Sequence, residues 1–160
     1  MSKCVKVKVV KGNNLVVRDF FSRSSDPYVL LKLGPNLGST RVVDKNLNPV
    51  WDEEFRFPIT DFNRCSSLQL QVWDKDTVFG IDCLDPDDYM GEAVIDLKPL
   101  VKGDGFPAQG KVVLYASEGN CLFKDSVIVE HAEGKRVQDV CLRLRNVKSG
   151  LLYLQLEWTL

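Results

Sequence analysis

Val5, Val7 and Val9 alternate with Lys6 and Lys8, and this two-residue period limits the fold more than any other feature of the chain. Successive strand side chains point to opposite faces, so such a stretch buries one face only as a half-exposed β-strand. The Lys11-Gly12-Asn13-Asn14 group then breaks it. Tyr28 to Leu33 reads as a second strand, closed by Gly34-Pro35-Asn36. Thr40 to Lys45 reads as a third, ending in the turn Asn46-Leu47-Asn48-Pro49. Trp51 to Phe57 alternates until Pro58 stops it, and Ser67 to Asp74, Tyr89 to Leu97, Val137 to Arg145 and Gly150 to Thr159 bring the segments to eight. In the last of them Leu152, Leu154, Leu156 and Trp158 share one face. No apolar period of 3.6 residues persists over more than two turns. The pattern predicts an all-β sandwich or barrel, and 160 residues without a linker or repeat predict a single domain, 1–160. The stretch from Pro99 to Gly134 is longer than a sandwich connection needs. It reads as an ordered insertion with a hairpin of its own, from Lys111 to Ala116 and Ser126 to His131, either covering a sheet edge or presenting a partner-binding surface.

Charge excludes one class of function. Lys and Arg number 21 against 22 Asp and Glu, so the chain has no surplus of cations for bulk nucleic-acid binding. No apolar run has the length of a membrane span, and the Lys–Val alternation at the start is not a signal peptide. Five cysteines without a C-x-x-C pair predict reduced thiols and a cytoplasmic protein, with Cys4 a half-buried strand residue.

The charge is unevenly spread. Asp19 and Asp26 follow the first strand, and Asp74, Asp76, Asp82, Asp85, Asp87 and Asp88 follow the fifth; only Arg18, Arg23 and Lys75 oppose them, a local charge of −5. Crowded carboxylates repel unless protons or cations intervene. An oxygen-only donor set without histidine or thiolate suits a hard ion, and calcium takes 6–8 oxygens in flexible geometry. The Asp74-Lys75-Asp76 spacing places both carboxylates on one face at a strand end. An EF-hand starting at Asp74 is excluded, because Val78 and Phe79 stand where it needs an oxygen ligand and a glycine.

Three motifs then carry a resemblance. Asn14-Leu15-x3-Asp19…Ser25-Asp26-Pro27-Tyr28-Val29 is similar to the first calcium loop of C2 domains, and Asn48-Pro49-Val50-Trp51-Asp52-Glu53-Glu54-Phe55 to their fourth-strand signature. Trp73-Asp74-Lys75-Asp76…Asp88-Tyr89-Met90-Gly91-Glu92 resembles their third loop and the following strand. The resemblance implies an eight-stranded antiparallel sandwich, in the permuted, phospholipase-type (type II) connectivity, with the insertion before the last two strands. It also implies Ca2+ as the cofactor, held by Asp19, Asp26, Asp74, Asp76 and Asp88, with the backbone carbonyls of Phe20 and Lys75 as further donors. Because the third loop is lengthened, Asp82, Asp85 or Asp87 could take the place of Asp88. Asn120-Cys121-Leu122, Val137-Gln138-Asp139-Val140, Leu142-Arg143-Leu144-Arg145 and Gln155-Leu156-Glu157-Trp158 resemble the plant C2-domain abscisic-acid-related proteins, a group with members described as small GTPase-activating proteins. That narrower resemblance implies a plant source and a protein partner, either an abscisic acid receptor or a small GTPase.

Apolar residues flank the acidic pole: Phe20 and Phe21 beside Asp19, and Val78, Phe79, Ile81 and Leu84 in the third loop. A sandwich core does not need them there, which predicts insertion into an anionic phospholipid membrane once calcium neutralises the carboxylates. A second lipid site on the concave face would have only the sparse set Lys32, Arg41 and Lys45. Calcium-bound chains are then expected at the plasma membrane, with the nucleus as an additional location. No catalytic residue is read: His131 is the single histidine, and Gly34 to Thr40, GPNLGST, lacks the spacing and lysine of a phosphate loop and reads as a hairpin turn. The chain is expected not to be an enzyme.

Overall fold

A computed structural model describes residues 3–76, 86–103 and 110–160. Ten strands lie among them: β1 (Cys4–Asn13), β2 (Pro27–Leu33), β3 (Asn36–Ser39), β4 (Val50–Pro58), β5 (Ser67–Asp74), β6 (Asp88–Asp96), β7 (Lys111–Leu114), β8 (Ser126–Glu130), β9 (Arg136–Arg143) and β10 (Leu151–Thr159). They form two antiparallel sheets, one ordered β4-β1-β10-β9-β8-β7 and the other β3-β2-β5-β6. Among the described residues one short α-helix, α1 (Lys98–Lys102), follows β6, with proline in its first turn and Gly103 at its left-handed end.

The two-residue period explains the core. Val5, Val7 and Val9 of β1, Val29, Leu31 and Leu33 of β2, and Leu68, Leu70 and Val72 of β5 are all buried between the sheets. Leu152, Leu154, Leu156 and Trp158 of β10 join them, as do Trp51 and Phe57 of β4. Each such side chain contributes about 1.5–3 kcal/mol by leaving water. The intervening Lys6, Lys8 and Glu157 form ion pairs on the outer face.

Two expectations are corrected. Thr40 to Lys45 is not a strand; the strand is Asn36–Ser39, within the GPNLGST stretch read as a turn. Gly34 turns at φ +58 beside the Arg64 carbonyl, which leaves no room for a Cβ, so the chain reverses within two residues and pairs Asn36 with Leu33 at once. Thr40, Val43 and Asn46 then donate to the carbonyls of Val29, Pro27 and Ser25, one bond every third residue, which tracks β2 without making a ladder. The hairpin expected in the segment 99–134 is present as β7 and β8, and it extends the six-stranded sheet through β8–β9 pairing, adding two strands to the eight segments read. The described cysteines Cys4, Cys65, Cys121 and Cys141 are free, Cys4 half-buried on β1.

Candidate metal centre

The chain leaves β1 at Asn13 and reaches the other sheet at Pro27, so residues 14–26 cap one end of the sandwich. Leu15 and Val16 anchor that loop in the core. The Ser25 hydroxyl donates to the Val16 carbonyl and accepts from the Arg18 N–H, both at 2.8 Å. Arg18 Nε reaches the Tyr89 carbonyl at 2.9 Å, tying the loop to β6. Register sets Pro27 opposite Asp74 and Asp74 opposite Asp88, bringing three strand ends to one point.

Asp74, Asp76 and Asp88 meet there. One carboxylate oxygen from each lies within 4.8 Å of the others. Asp74 is buried, Asp76 half-buried and Asp88 exposed, so the cluster opens toward solvent. Asp26 lies beside it: its N–H donates to Asp74 Oδ1 at 2.6 Å, and its own carboxylate accepts from the Lys45 N–H at 2.7 Å. Asp19 sits further along the loop, where Oδ1 accepts from the N–H groups of Phe21 and Ser22 at 3.0 and 3.3 Å. Asp87 is engaged elsewhere. It accepts from the Tyr28 hydroxyl and from the Asp76 N–H at 3.1 Å, with Lys75 Nζ 3.8 Å away. Nothing in the residue spacing marks Asp87 for this role, because its partner Tyr28 is distant in the chain.

Electrostatics follow from the crowding. Burial, and then the charges of Asp26, Asp88 and Asp19, push Asp74 up to about 6 against the counter-effect of the Asp26 N–H. Burial, the hydrogen bond shared with Asp88 and the charges of Asp88, Asp74 and Asp87 raise Asp76 to about 6. Asp19 moves the other way: the Ser22 hydroxyl and N–H, helped by the Phe21 N–H, hold it below the usual carboxylate range. Burial followed by the Asp87 contact raises the Tyr28 hydroxyl. A cluster of oxygen donors that resists ionisation fits a divalent hard cation, whose charge would remove the repulsion. Asp74, Asp76 and Asp88 supply the converging carboxylates; Asp26 and Asp19 border them from the first loop.

Around this centre Phe20 and Phe21 are exposed to 84% and 105% of their free values. Asp82, Asp85, Val78, Phe79, Ile81 and Leu84 lie outside the described residues. Of the cations proposed for a second lipid site, Lys32 and Lys45 are exposed, whereas Arg41 donates to the carbonyls of Trp51 and Val50 at 2.7 and 3.0 Å and stands 3.7 Å from Glu53. His131 is exposed just beyond β8.

Two facing antiparallel sheets, with aspartates from two inter-strand loops converging at one end, define a C2-type module. The sequence model of the C2 domain matches residues 3–110, and this chain belongs to the C2 domain family. Over 96% of its length it is 43% identical to "GTPase activating protein 1" of Oryza sativa subsp. indica, covering 90% of that protein. It is 42% identical to "Protein C2-DOMAIN ABA-RELATED 3" of Arabidopsis thaliana, covering 96% of this chain and 89% of that one. It is also 42% identical to an ADP-ribosylation factor GTPase-activating protein of Arabidopsis thaliana, covering 96% of this chain but 44% of that protein. Among solved structures, the calcium-bound tandem C2 domains of Extended-Synaptotagmin 2 match with a TM-score of 0.66 at 21% identity, over 98% of this chain and 45% of that one. A single C2 domain of a plant Extended Synaptotagmin 1 matches with a TM-score of 0.59 at 22% identity, over 99% and 95%. The present chain thus spans less than half of the Extended-Synaptotagmin 2 chain, and the two structures speak to fold alone.

Proposed function

We propose that this chain is a calcium-dependent adaptor that docks on anionic phospholipid membranes and brings a protein partner to them. The observation that carries the reading is the convergence of the Asp74, Asp76 and Asp88 carboxylates within 4.8 Å beside the exposed Phe20 and Phe21. Bound calcium would supply the positive charge that the centre lacks and coordination positions for lipid phosphate. The chain's own residues do the rest. Asp26 and Lys75 clamp the two loops together through the Lys75 N–H on the Asp26 carbonyl at 3.0 Å, which holds the carboxylates in place. Phe20 and Phe21 offer apolar surface to the interfacial layer, and without a cation the acidic pole is repelled by an anionic leaflet over about a Debye length, ~8 Å at physiological salt. The plasma membrane, with its anionic cytoplasmic leaflet, is the proposed docking site, reached from the cytoplasm. By likeness to the Arabidopsis ABA-related protein, the proposed partner is an abscisic acid receptor, met by the insertion 99–134. Sedimentation with phosphatidylserine vesicles, with calcium and with chelator, tests the membrane reading; equal binding in both would refute it.

A second reading rests on likeness to the rice GTPase activating protein 1: the chain regulates a small GTPase. Faster GTP hydrolysis by a small GTPase on adding the chain would support it.

A further inference from the structure

The outer face of the six-stranded sheet carries its cations in two states. Near Cys4, Lys6 lies 3.8 Å from Glu54 and 3.5 Å from Glu157, Lys8 lies 3.9 Å from Asp52, and Lys135 lies 3.3 Å from Glu157. Near the aspartate end, Lys11, Lys124 and Arg143 pair with no carboxylate among the described residues; they stand over aromatic rings. Lys11 Nζ and Lys124 Nζ are 4.8 and 5.9 Å from the Tyr153 ring centre, and the Arg143 guanidinium is 5.1 Å from that of Phe123. A ring holds a cation by its quadrupole without cancelling its charge. The three charges therefore remain available to an anion.

Register gathers them on neighbouring rungs. Lys11 faces Tyr153, Tyr153 faces Cys141, and the Phe123 N–H bonds the Cys141 carbonyl at 2.9 Å. Arg143 faces Leu151 two rungs on, on the same face of the sheet. Arg143 and Arg145 further line one cavity of about 480 Å³ with Ser117, Asn120 and Phe123, two cations against the single carboxylate of Glu118. Beyond these rungs β1 enters the loop bearing Asp19, and Gly150, between β9 and β10, lies against Leu15 at that loop's base. The basic rungs thus flank the end that presents Phe20 and Phe21.

We propose that Lys11, Lys124 and Arg143 form a metal-independent contact for the phosphate-bearing headgroups of an anionic bilayer, engaged in the same pose that inserts Phe20 and Phe21. The proposal rests on the membrane reading above. A bilayer is favoured over a soluble anion because apolar and cationic groups share one end of the sandwich, and because tyrosine rings such as Tyr153 and the exposed Tyr115 suit the headgroup level.

The test is vesicle binding by the full chain carrying Lys11→Gln, Lys124→Gln and Arg143→Gln, with phosphatidylserine vesicles in calcium across a salt series. Each cation near an anionic surface raises affinity roughly fivefold, so the triple variant should bind more than about tenfold more weakly and with a flatter salt dependence. Its lipid-free calcium titration should match wild type, and its melting temperature should fall only by the several degrees that three exposed cation–π contacts are worth. Lys8→Gln, on the same face but paired with Asp52, should bind as wild type does, and Lys11→Arg with Lys124→Arg should keep the affinity. Unchanged vesicle affinity in the triple variant overturns the proposal while leaving calcium-dependent docking intact. A wild-type chain that binds no vesicle at any calcium level overturns the membrane reading and this contact with it.

Discussion

The Asp26 N–H donates to Asp74 Oδ1 at 2.6 Å, so the first loop is hydrogen-bonded to the most buried carboxylate of the candidate centre. One oxygen of Asp74 is an architectural acceptor, and on the proposed reading the same carboxylate is also a cation ligand. A side chain with both duties separates charge from shape when it is replaced.

Asp74→Asn combined with Asp76→Asn should abolish calcium-dependent vesicle binding while keeping the fold, because asparagine retains the acceptor for Asp26. In chelator the variant should melt higher than wild type, since two ionisations resisted by the fold are gone. Asp74→Ala, by contrast, leaves the Asp26 N–H without its partner and should cost about 1–3 kcal/mol. Thermal melts of the three proteins in chelator check the ordering; a double variant less stable than wild type would show that the carboxylates act mainly as structural acceptors.

Acidity should stabilise the metal-free protein. Asp74 and Asp76 titrate near 6 when folded and near 3.8 when unfolded, so the folded state binds more protons between those values. Stability in chelator therefore rises as pH falls from 7 through 6 toward 4, the reverse of an ion-paired carboxylate. Asp19, lowered by its Ser22 contacts, works in the opposite sense and only below its unfolded value of 3.8. Protons also compete with calcium, so calcium affinity should drop below pH 6. Melting temperature against pH, with and without calcium, checks both; a fall in the metal-free melting temperature from pH 7 to 5 contradicts the first.

Phe20→Ala and Phe21→Ala should leave stability and lipid-free calcium binding unchanged, because both rings stand in solvent. Full burial of such a ring is worth about 1.5–3 kcal/mol, so each change should weaken vesicle affinity about tenfold or more. Calcium titration and vesicle sedimentation on the same variants separate the two contributions. Equal losses in both would assign the rings to loop shape.

Tyr28→Phe removes the hydroxyl that bonds Asp87 and touches no carboxylate of the cluster. The loss should lower stability by about 1–3 kcal/mol and weaken calcium binding several-fold, through the Asp76 N–H that Asp87 also holds. Denaturant unfolding and calorimetric titration measure the pair. Unaltered calcium affinity would mean that Lys75 and the Asp76 N–H suffice to fix Asp87.

Alternation made β1, β2, β5 and β10 readable, because each buries one face and exposes the other. It failed at β3, where Gly38 lies under Phe55 so closely that an added Cβ would come within 2.8 Å of the ring. The residue that fits that contact has no side chain to signal a strand. The Asp74–Asp76 doublet was visible as spacing, since two positions on one strand share a face. Its third member, Asp88, comes from the resemblance, with Asp82, Asp85 or Asp87 as substitutes, and the β5–β6 pairing sets Asp88 opposite Asp74. The second duty of Arg41 was hidden. Its exposure resembles that of a lipid-facing cation, but its guanidinium holds the carbonyls of Val50 and Trp51, which no local pattern encodes.

The pairing of Cys4 with Thr159 has a mechanical consequence. Tension applied at these two residues pulls adjacent antiparallel strands apart sideways, so the hydrogen bonds between β1 and β10 load one rung at a time and unzip at low force. Rupture starts at Cys4 and travels toward Lys11 and Tyr153. The rungs beside the aspartates are the last to open, and the acidic pole keeps its shape while the opposite end frays.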